Sequence, residues 1–362
     1  MNQSPLDSDT AVPDAIHLSM DACRAFWHAF LQREQAFSCM DPRECVEQAN
    51  MLLAAHAPEL ALEVEGGKDE TPRDIVLTAH GNKEQFANVL ALVQAKPTFM
   101  HFLGVTGFRQ RSQDGVFEIG MEGFSLSTQD LEVGLYADRG LVGLELRFMR
   151  EIPMDMVEHA RHMAFIMLDH VIGEYDFSVR VGPVDFVEAL SDDIAEVTQL
   201  DQLPSTFDRF WRNALKHTGE WPLDESNHQW VMLEFKPREG EEKPKLMALL
   251  ESATALATRA DLTHCLDVDV DVSSDGALDR ARDLEEGLMN AFQRDGRGIF
   301  VLSIVMMEQG RRVCRFYLDD PERGMQAARA ICEQHGFRDA EMNTWFDPSW
   351  DAYLGYLPES AA

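Results

Sequence analysis

Apolar and polar positions alternate along this chain with two clear periods, and these set out most of its elements. SMDACRAFWHAFLQREQAF (19–37) has apolar residues at helical spacing, with Ser19 placed to cap it. DPRECVEQANMLLAAH (41–56) predicts a second helix, with Asp41 as cap and Pro42 at the first helical position, where a missing N–H is harmless. Strands are predicted at LALEVEG, DIVLTAH, FMHFLGVTGFRQR, VFEIGMEG, DLEVGLYAD and LVGLELRFM, the last two joined by a turn at Asp138-Arg139-Gly140. NKEQFANVLALVQA and PMDMVEHARHMAFIMLDHVIGE read as helices, and YDFSVRVGPVDFVE reads as a returning strand.

Beyond residue 230 the pattern is more regular. WVMLEFK is a strand, LMALLESATALA suits either helix or strand, and LDVDVDV alternates strictly. ALDRARDLEEGLMNAF is an amphipathic helix, GIFVLSIVMMEQG and RRVCRFYLDD form a hairpin over Gln309-Gly310, and ERGMQAARAICEQHG is a helix stopping at Gly336. From Leu266 the order is β-α-β-β-α-β, that of the split βαβ or ferredoxin-like arrangement. The first half shows a looser version, so the expectation is an α+β chain of two ferredoxin-like domains, with antiparallel sheets covered by helices. The expected division is a flexible N-terminus at 1–18, an α+β domain at 19–187, an acidic connecting segment at 188–229 and a ferredoxin-like domain at 230–358.

Charge changes the picture most. The 362 residues hold 63 acids and 32 bases, a net charge of −31. From Glu151 to Asp208 there are thirteen acids and two bases, Arg161 and Arg180. Such a surface repels nucleic acid and anionic membranes and favours a basic protein partner. The start, MNQSPLDSDTAVPDA, lacks the basic and apolar regions of a secretory signal, and no apolar run could span a bilayer, so cytoplasmic residence is expected. The six cysteines form no C-x-x-C pair and read as free, buried thiols.

The C-terminal stretch FDPSWDAYLGYLP, preceded by GRRVCRFYLDD and a helix, resembles the close of the domain-of-unknown-function 695 family, and the linker LDQLPSTFD is similar to one joining such a domain to an N-terminal α+β module. The resemblance covers roughly residues 228–357 and implies an α+β sheet domain with no assigned activity. Some relatives carry a module similar to regulator of ribonuclease activity B, an acidic, ferredoxin-like inhibitor of ribonuclease E.

Motifs for phosphate-binding loops, dinucleotide folds, zinc proteases and serine hydrolases are absent, and no cofactor is expected. In DIVLTAHGNKEQF, Gly81 suits a bend and Asn82 a helix cap, with Gln85 at the third helical position. A catalytic His80 would need a nucleophile or carboxylate partner, and local spacing supplies none. His159 and His162, three apart on one helix, make half a metal site, with Asp155, Glu158 and Asp169 as nearby carboxylates. Asp267, Asp269 and Asp271 share one strand face and must be solvated or neutralised, with Arg311, Arg312 and Arg315 as intramolecular candidates. Trp345, Phe346, Trp350, Tyr353 and Tyr356 either seal a small core or form a contact surface.

The reading that combines these features is a non-enzymatic acidic protein acting through protein binding, as an inhibitor or immunity-type partner of a basic, nuclease-like protein. The acids expected at its interface are Asp192, Asp193, Glu196, Asp267, Asp269 and Asp271, and the aromatic surface Trp345, Trp350 and Tyr353. The alternatives are a metal-assisted hydrolase built on the His159/His162 helix and a small-molecule-binding regulator.

Overall fold

A computed structural model describes residues 18–65, 73–112, 115–121, 123–221, 228–236, 243–294 and 296–357. The expected flexible N-terminus therefore lies, up to residue 17, outside the described residues. The chain is mixed α and β, with several antiparallel sheets. It divides into two compact units, one of residues up to Tyr136 with Val142–Asp208, the other of Ala137–Leu141 with the chain from Arg209 onward.

In the first unit Ser19 caps α1 (Met20–Leu31) by accepting the Ala22 N–H, and Asp41 caps α3 (Pro42–Leu53) by accepting that of Arg43. The single helix expected over 19–37 breaks at Gln32-Arg33, and α2 (Glu34–Cys39) starts afresh. The break serves a tertiary bond: buried Glu34 accepts the backbone N–H groups of Met100 at 2.7 Å and His101 at 2.6 Å. β1 (Ala61–Glu65) pairs antiparallel with β2 (Arg73–Thr78). After α4 (Phe86–Gln94) the chain returns as β3 (Phe102–Gly107), parallel to β2. Phe26, Trp27, Phe30 and Phe37 from the helices fill the core with Leu62, Ile75 and Leu77 from the sheet.

The unit continues with the hairpin β4 (Glu118–Met121) and β5 (Phe124–Ser127), then β6 (Leu131–Asp138) and β7 (Leu141–Phe148). Arg139 and Gly140 both have positive φ, 46° and 81°, as a two-residue turn of right-handed twist requires. Next come α5 (Val157–Ile172), α6 (Glu174–Arg180), β8 (Val181–Phe186) and β9 (Glu196–Gln199), giving a four-stranded sheet in the order β8-β7-β6-β9. The returning strand expected over YDFSVRVGPVDFVE is half helix, because Glu174 is drawn into the interior and starts α6. The expected split-βαβ order is not present in this unit: its described strands fall into sheets of three, two and four, and two pairings, β2 with β3 and β7 with β8, are parallel.

The expected connecting segment 188–229 also contains regular structure. β9 pairs antiparallel with β6, and Leu200, Leu203 and Phe207 are fully buried. Ile194 fills the space above Gly134, where an added Cβ would lie 3.0 Å from it. Enough apolar side chain is distributed among the acids to bind this stretch to the sheet. The unit boundary falls later, within α7 (Leu203–Asn213).

The second unit is built on one sheet. β10 (Trp230–Phe235), β11 (Lys245–Leu250), β12 (His264–Asp271), β13 (Gly298–Met306), β14 (Arg311–Leu318) and β15 (Glu341–Phe346) lie in the order β10-β11-β13-β14-β12-β15, with antiparallel neighbours. LMALLESATALA resolves into β11 followed by a 3-10 turn at Glu251–Leu256. α8 (Ala277–Arg294) joins β12 to β13, and α9 (Pro321–Gln334) joins β14 to β15. α8 turns Ala281, Leu284, Leu288 and Phe292 inward, as its periodicity predicts, while Leu278, the first position of the predicted stripe, is half-buried. A last turn, α10 (Asp351–Leu354), closes the unit. Among the described residues no helix is long and apolar enough to cross a membrane.

One close approach in the first unit tests its packing. Tyr136 on β6 lies across Gly143 on β7, and a Cβ there would overlap the ring. Gly143→Ala is expected to lower stability by about 1–3 kcal/mol, the usual cost of overpacking. Urea denaturation followed by circular dichroism would measure it, and an unchanged midpoint would contradict the packing described.

Candidate functional site

The loops after β2 and β3 gather a polar cluster in the first unit. Both pass through strained backbone, since His80 and Phe108 have φ of 51° and 65°. What holds them is Glu174, which is completely buried. One of its carboxylate oxygens accepts the N–H groups of Ala79 and Gly81, each at 3.0 Å, and the other accepts that of Arg109 at 3.1 Å. Three charge-assisted bonds offset the desolvation of the carboxylate and fix both turns.

Arg109 completes the cluster. Its Nε donates to Glu63 at 3.1 Å, Nη1 to Asp169, and Nη2 to the Thr78 hydroxyl at 3.2 Å and His80 Nδ1 at 2.7 Å. A guanidinium only donates, so Nδ1 is the acceptor and Nε2 carries the ring hydrogen. The sequence question about His80 is thereby answered. Among the described residues the bonds of His80 go to the distant Arg109, which is engaged at all three nitrogens, and to the buried hydroxyl of Thr78 two residues away, which accepts the His80 N–H at 2.9 Å. Asn82 accepts the Glu84 N–H and caps the turn that opens α4. Glu174 and Arg109 could not have been found by local spacing, since their bonds span 29 to 95 residues.

In the second unit the row Asp267, Asp269, Asp271 faces away from α8, as strand alternation requires, but it is not an open acidic face. Asp267 forms a two-point pair with Arg315 at 2.7 and 2.8 Å, and Asp269 accepts from Arg311 at 2.9 Å. Asp271 alone is exposed, and it accepts the N–H and hydroxyl of Ser273, which pull its carboxyl below the ordinary range. Arg312 sits one residue out of phase and reaches Glu285 on α8 instead, at 2.6 Å. The expectation that these acids meet a partner is corrected for Asp267 and Asp269, because cross-strand arginines already neutralise them.

The aromatic surface is corrected as well. Trp350 is fully buried, stacks on Tyr317 at 4.0 Å and donates its indole N–H to the Leu262 carbonyl. Tyr353 is fully buried, with its hydroxyl directed to the Leu250 and Glu251 carbonyls. Asp347 organises this corner, accepting the Tyr317 hydroxyl at 2.6 Å and the N–H groups of Asp351 and Ala352. Burial first, then the Asp351 charge, pushes the Asp347 carboxyl above its ordinary value, while these three donors pull it down. Trp345 is half-buried beneath Arg315, whose guanidinium lies 5.3 Å from its ring. Residues 346–357 thus seal the core of the second unit.

Three further surface features lie in the first unit. His162 is exposed and His159 half-buried on α5, and among the described residues no three His, Cys, Asp or Glu side chains gather to hold a metal, so the half-site gains no third ligand. Asp192 and Asp193 stand exposed on the loop before β9, with Glu196 half-buried at its start. β9 is an outer strand of its sheet, and Val197 on it is 54% exposed. On the other edge, Phe186 of β8 stacks on Phe148 of β7 at 5.6 Å, Phe165 of α5 meets Phe186 edge-on at 5.6 Å, and Phe177 of α6 lies 6.4 Å from Phe165. No family model, curated protein or solved structure matches this chain.

The clamp gives a direct prediction. Glu174→Gln keeps an acceptor for the Ala79 and Gly81 N–H groups but turns its amide N–H₂ against the Arg109 N–H, and is expected to cost about 3 kcal/mol. Thermal and urea unfolding should show the loss, and a variant as stable as the wild type would remove Glu174 from its central position.

Proposed function

We propose that this chain is a non-enzymatic, cytoplasmic binding protein, an acidic partner of the inhibitor or immunity type for a basic, nuclease-like protein. One observation carries the reading. Between Glu151 and Asp208 both bases are spent on the chain's own acids, Arg161 on Glu158 and Arg180 on Asp176, each at 2.9 Å. Asp155, Asp185, Glu188, Asp192 and Asp193 are exposed and carry no ion pair among the described residues. Unbalanced exposed carboxylates speed encounter with a basic surface and repel nucleic acid and anionic lipid. The outer edge of β9, beside this loop, offers main-chain groups to an added strand. All six cysteines are free, which suits a reducing compartment.

The second unit is proposed as a ferredoxin-like domain of the domain-of-unknown-function 695 type. Its β12-α8-β13-β14-α9-β15 order and the spatial order β13-β14-β12-β15 support the first part. The part played by residues 346–357 in sealing the core supports the second.

Affinity purification from native cells at low ionic strength tests the binding reading. A basic protein should be retained and released as salt rises, and Asp192→Lys with Asp193→Lys should weaken its retention about tenfold or more. Recovery of no basic protein, or equal retention by the charge-reversed variant, would sink the proposal.

A further inference from the structure

We infer that the aromatic face of Phe148, Phe165, Phe177 and Phe186 is the anchor for a basic, amphipathic segment of a protein partner. The inference rests on the acidic-binding reading and gives it a place and a chemistry. α5 buries Ala160, Met163, Ala164, Met167 and Leu168, which complete its inward stripe. Phe165 is outside that stripe and 39% exposed, so the core does not account for it. Its neighbours Phe148, Phe177 and Phe186 are only half-buried, although together they form a contiguous ring cluster. Large aromatics at the centre of a patch, with more ring surface than the fold covers, are the usual anchors of a protein contact.

The chemistry of the occupant follows from two features. The Arg161 guanidinium already lies 5.6 Å over the Phe186 ring, so the cluster accepts a cation within the fold itself. Around the start of α5, Glu151, Asp155 and Glu158 are exposed, and Arg161 is paired to Glu158. The face is apolar at its centre, and the chain that leads from Phe148 into α5 carries Glu151 and Asp155 exposed and without an ion pair among the described residues. Its complement is a segment with apolar side chains on one side and Lys or Arg beside them. Met149 and Met154, 50% and 92% exposed on the chain between β7 and α5, add adaptable apolar surface of the kind that accommodates such segments.

The experiment titrates a labelled Lys- and Leu-containing amphipathic peptide against the full chain at low salt, by fluorescence anisotropy, with a Glu- and Leu-containing peptide as control. The wild type should bind the basic peptide and not the acidic one. Phe165→Ala should weaken binding about tenfold, equivalent to about 1.4 kcal/mol, at an unchanged melting temperature, and Phe165→Tyr should restore it. Asp192→Asn with Asp193→Asn should have the smaller effect, confined to low salt. If wild type and Phe165→Ala bind alike while the acidic-loop variant loses the peptide, the aromatic anchor is wrong and the acidic reading stands. If the wild type binds neither peptide, both fail. If Phe165→Ala instead abolishes a concentration-dependent dimer of the free chain, the face belongs to self-association and the inference is overturned.

Discussion

A single buried carboxylate sets the geometry of the first unit. Among the described residues Glu174 has no cationic partner in contact with it; its carboxylate accepts three backbone N–H groups from two turns. Without it, the positive φ of His80 and Phe108 would be strain with nothing to sustain it, and Arg109 would lose the anchor that aims it at Glu63, Asp169 and His80. Glu34 works in the same way on residues 100 and 101. In both cases an acidic side chain does inside the fold what a ligand's carboxylate could do in a binding site, and so leaves those amides closed to any ligand.

The acidity of this chain therefore has two uses. Some carboxylates are structural, held by backbone amides, as Glu34 and Glu174 are, or by arginines across a strand, as Asp267 and Asp269 are. Others, Asp155, Asp185, Glu188, Asp192 and Asp193, face water unbalanced. Net charge alone does not separate the two groups. Register does so in part: Asp267 stands opposite Arg315 across the β12–β14 pairing, whereas Asp185 stands opposite another acid, Glu145, across the β7–β8 pairing.

Features whose cause lies within a few residues were legible in the sequence. The caps Ser19 and Asp41, the Asp/Val alternation of β12 and the order of elements from β12 onward follow from local period and local hydrogen bonding. For the aspartate row the sequence offers Arg311, Arg312 and Arg315 alike and an interface besides; only the register assigns Arg315 to Asp267 and Arg311 to Asp269 and sends Arg312 to the other face. The remainder was set at a distance. Nothing near Gln32 announces that α1 must end so that Glu34 can reach residues 100 and 101. Nothing in GEYDFSVR distinguishes a strand from a helix until the burial of Glu174 decides it. Trp350 and Tyr353 looked available because aromatic density is the same whether the rings face in or out; stacking on Tyr317 and the Leu262 carbonyl settle which.

The Glu174 clamp also bears on how the chain is made. It closes loops of 95, 93 and 65 residues, to Ala79, Gly81 and Arg109. During synthesis β1, β2, α4 and β3 all emerge from the ribosome long before their acceptor does. Until α6 arrives, the turns after β2 and β3 have three amides to satisfy with water and two left-handed residues to hold against relaxation. The three-stranded sheet can pair early, but its rim sets only when the sixth helix docks. The two corners therefore take their final form only once residue 174 is part of the chain.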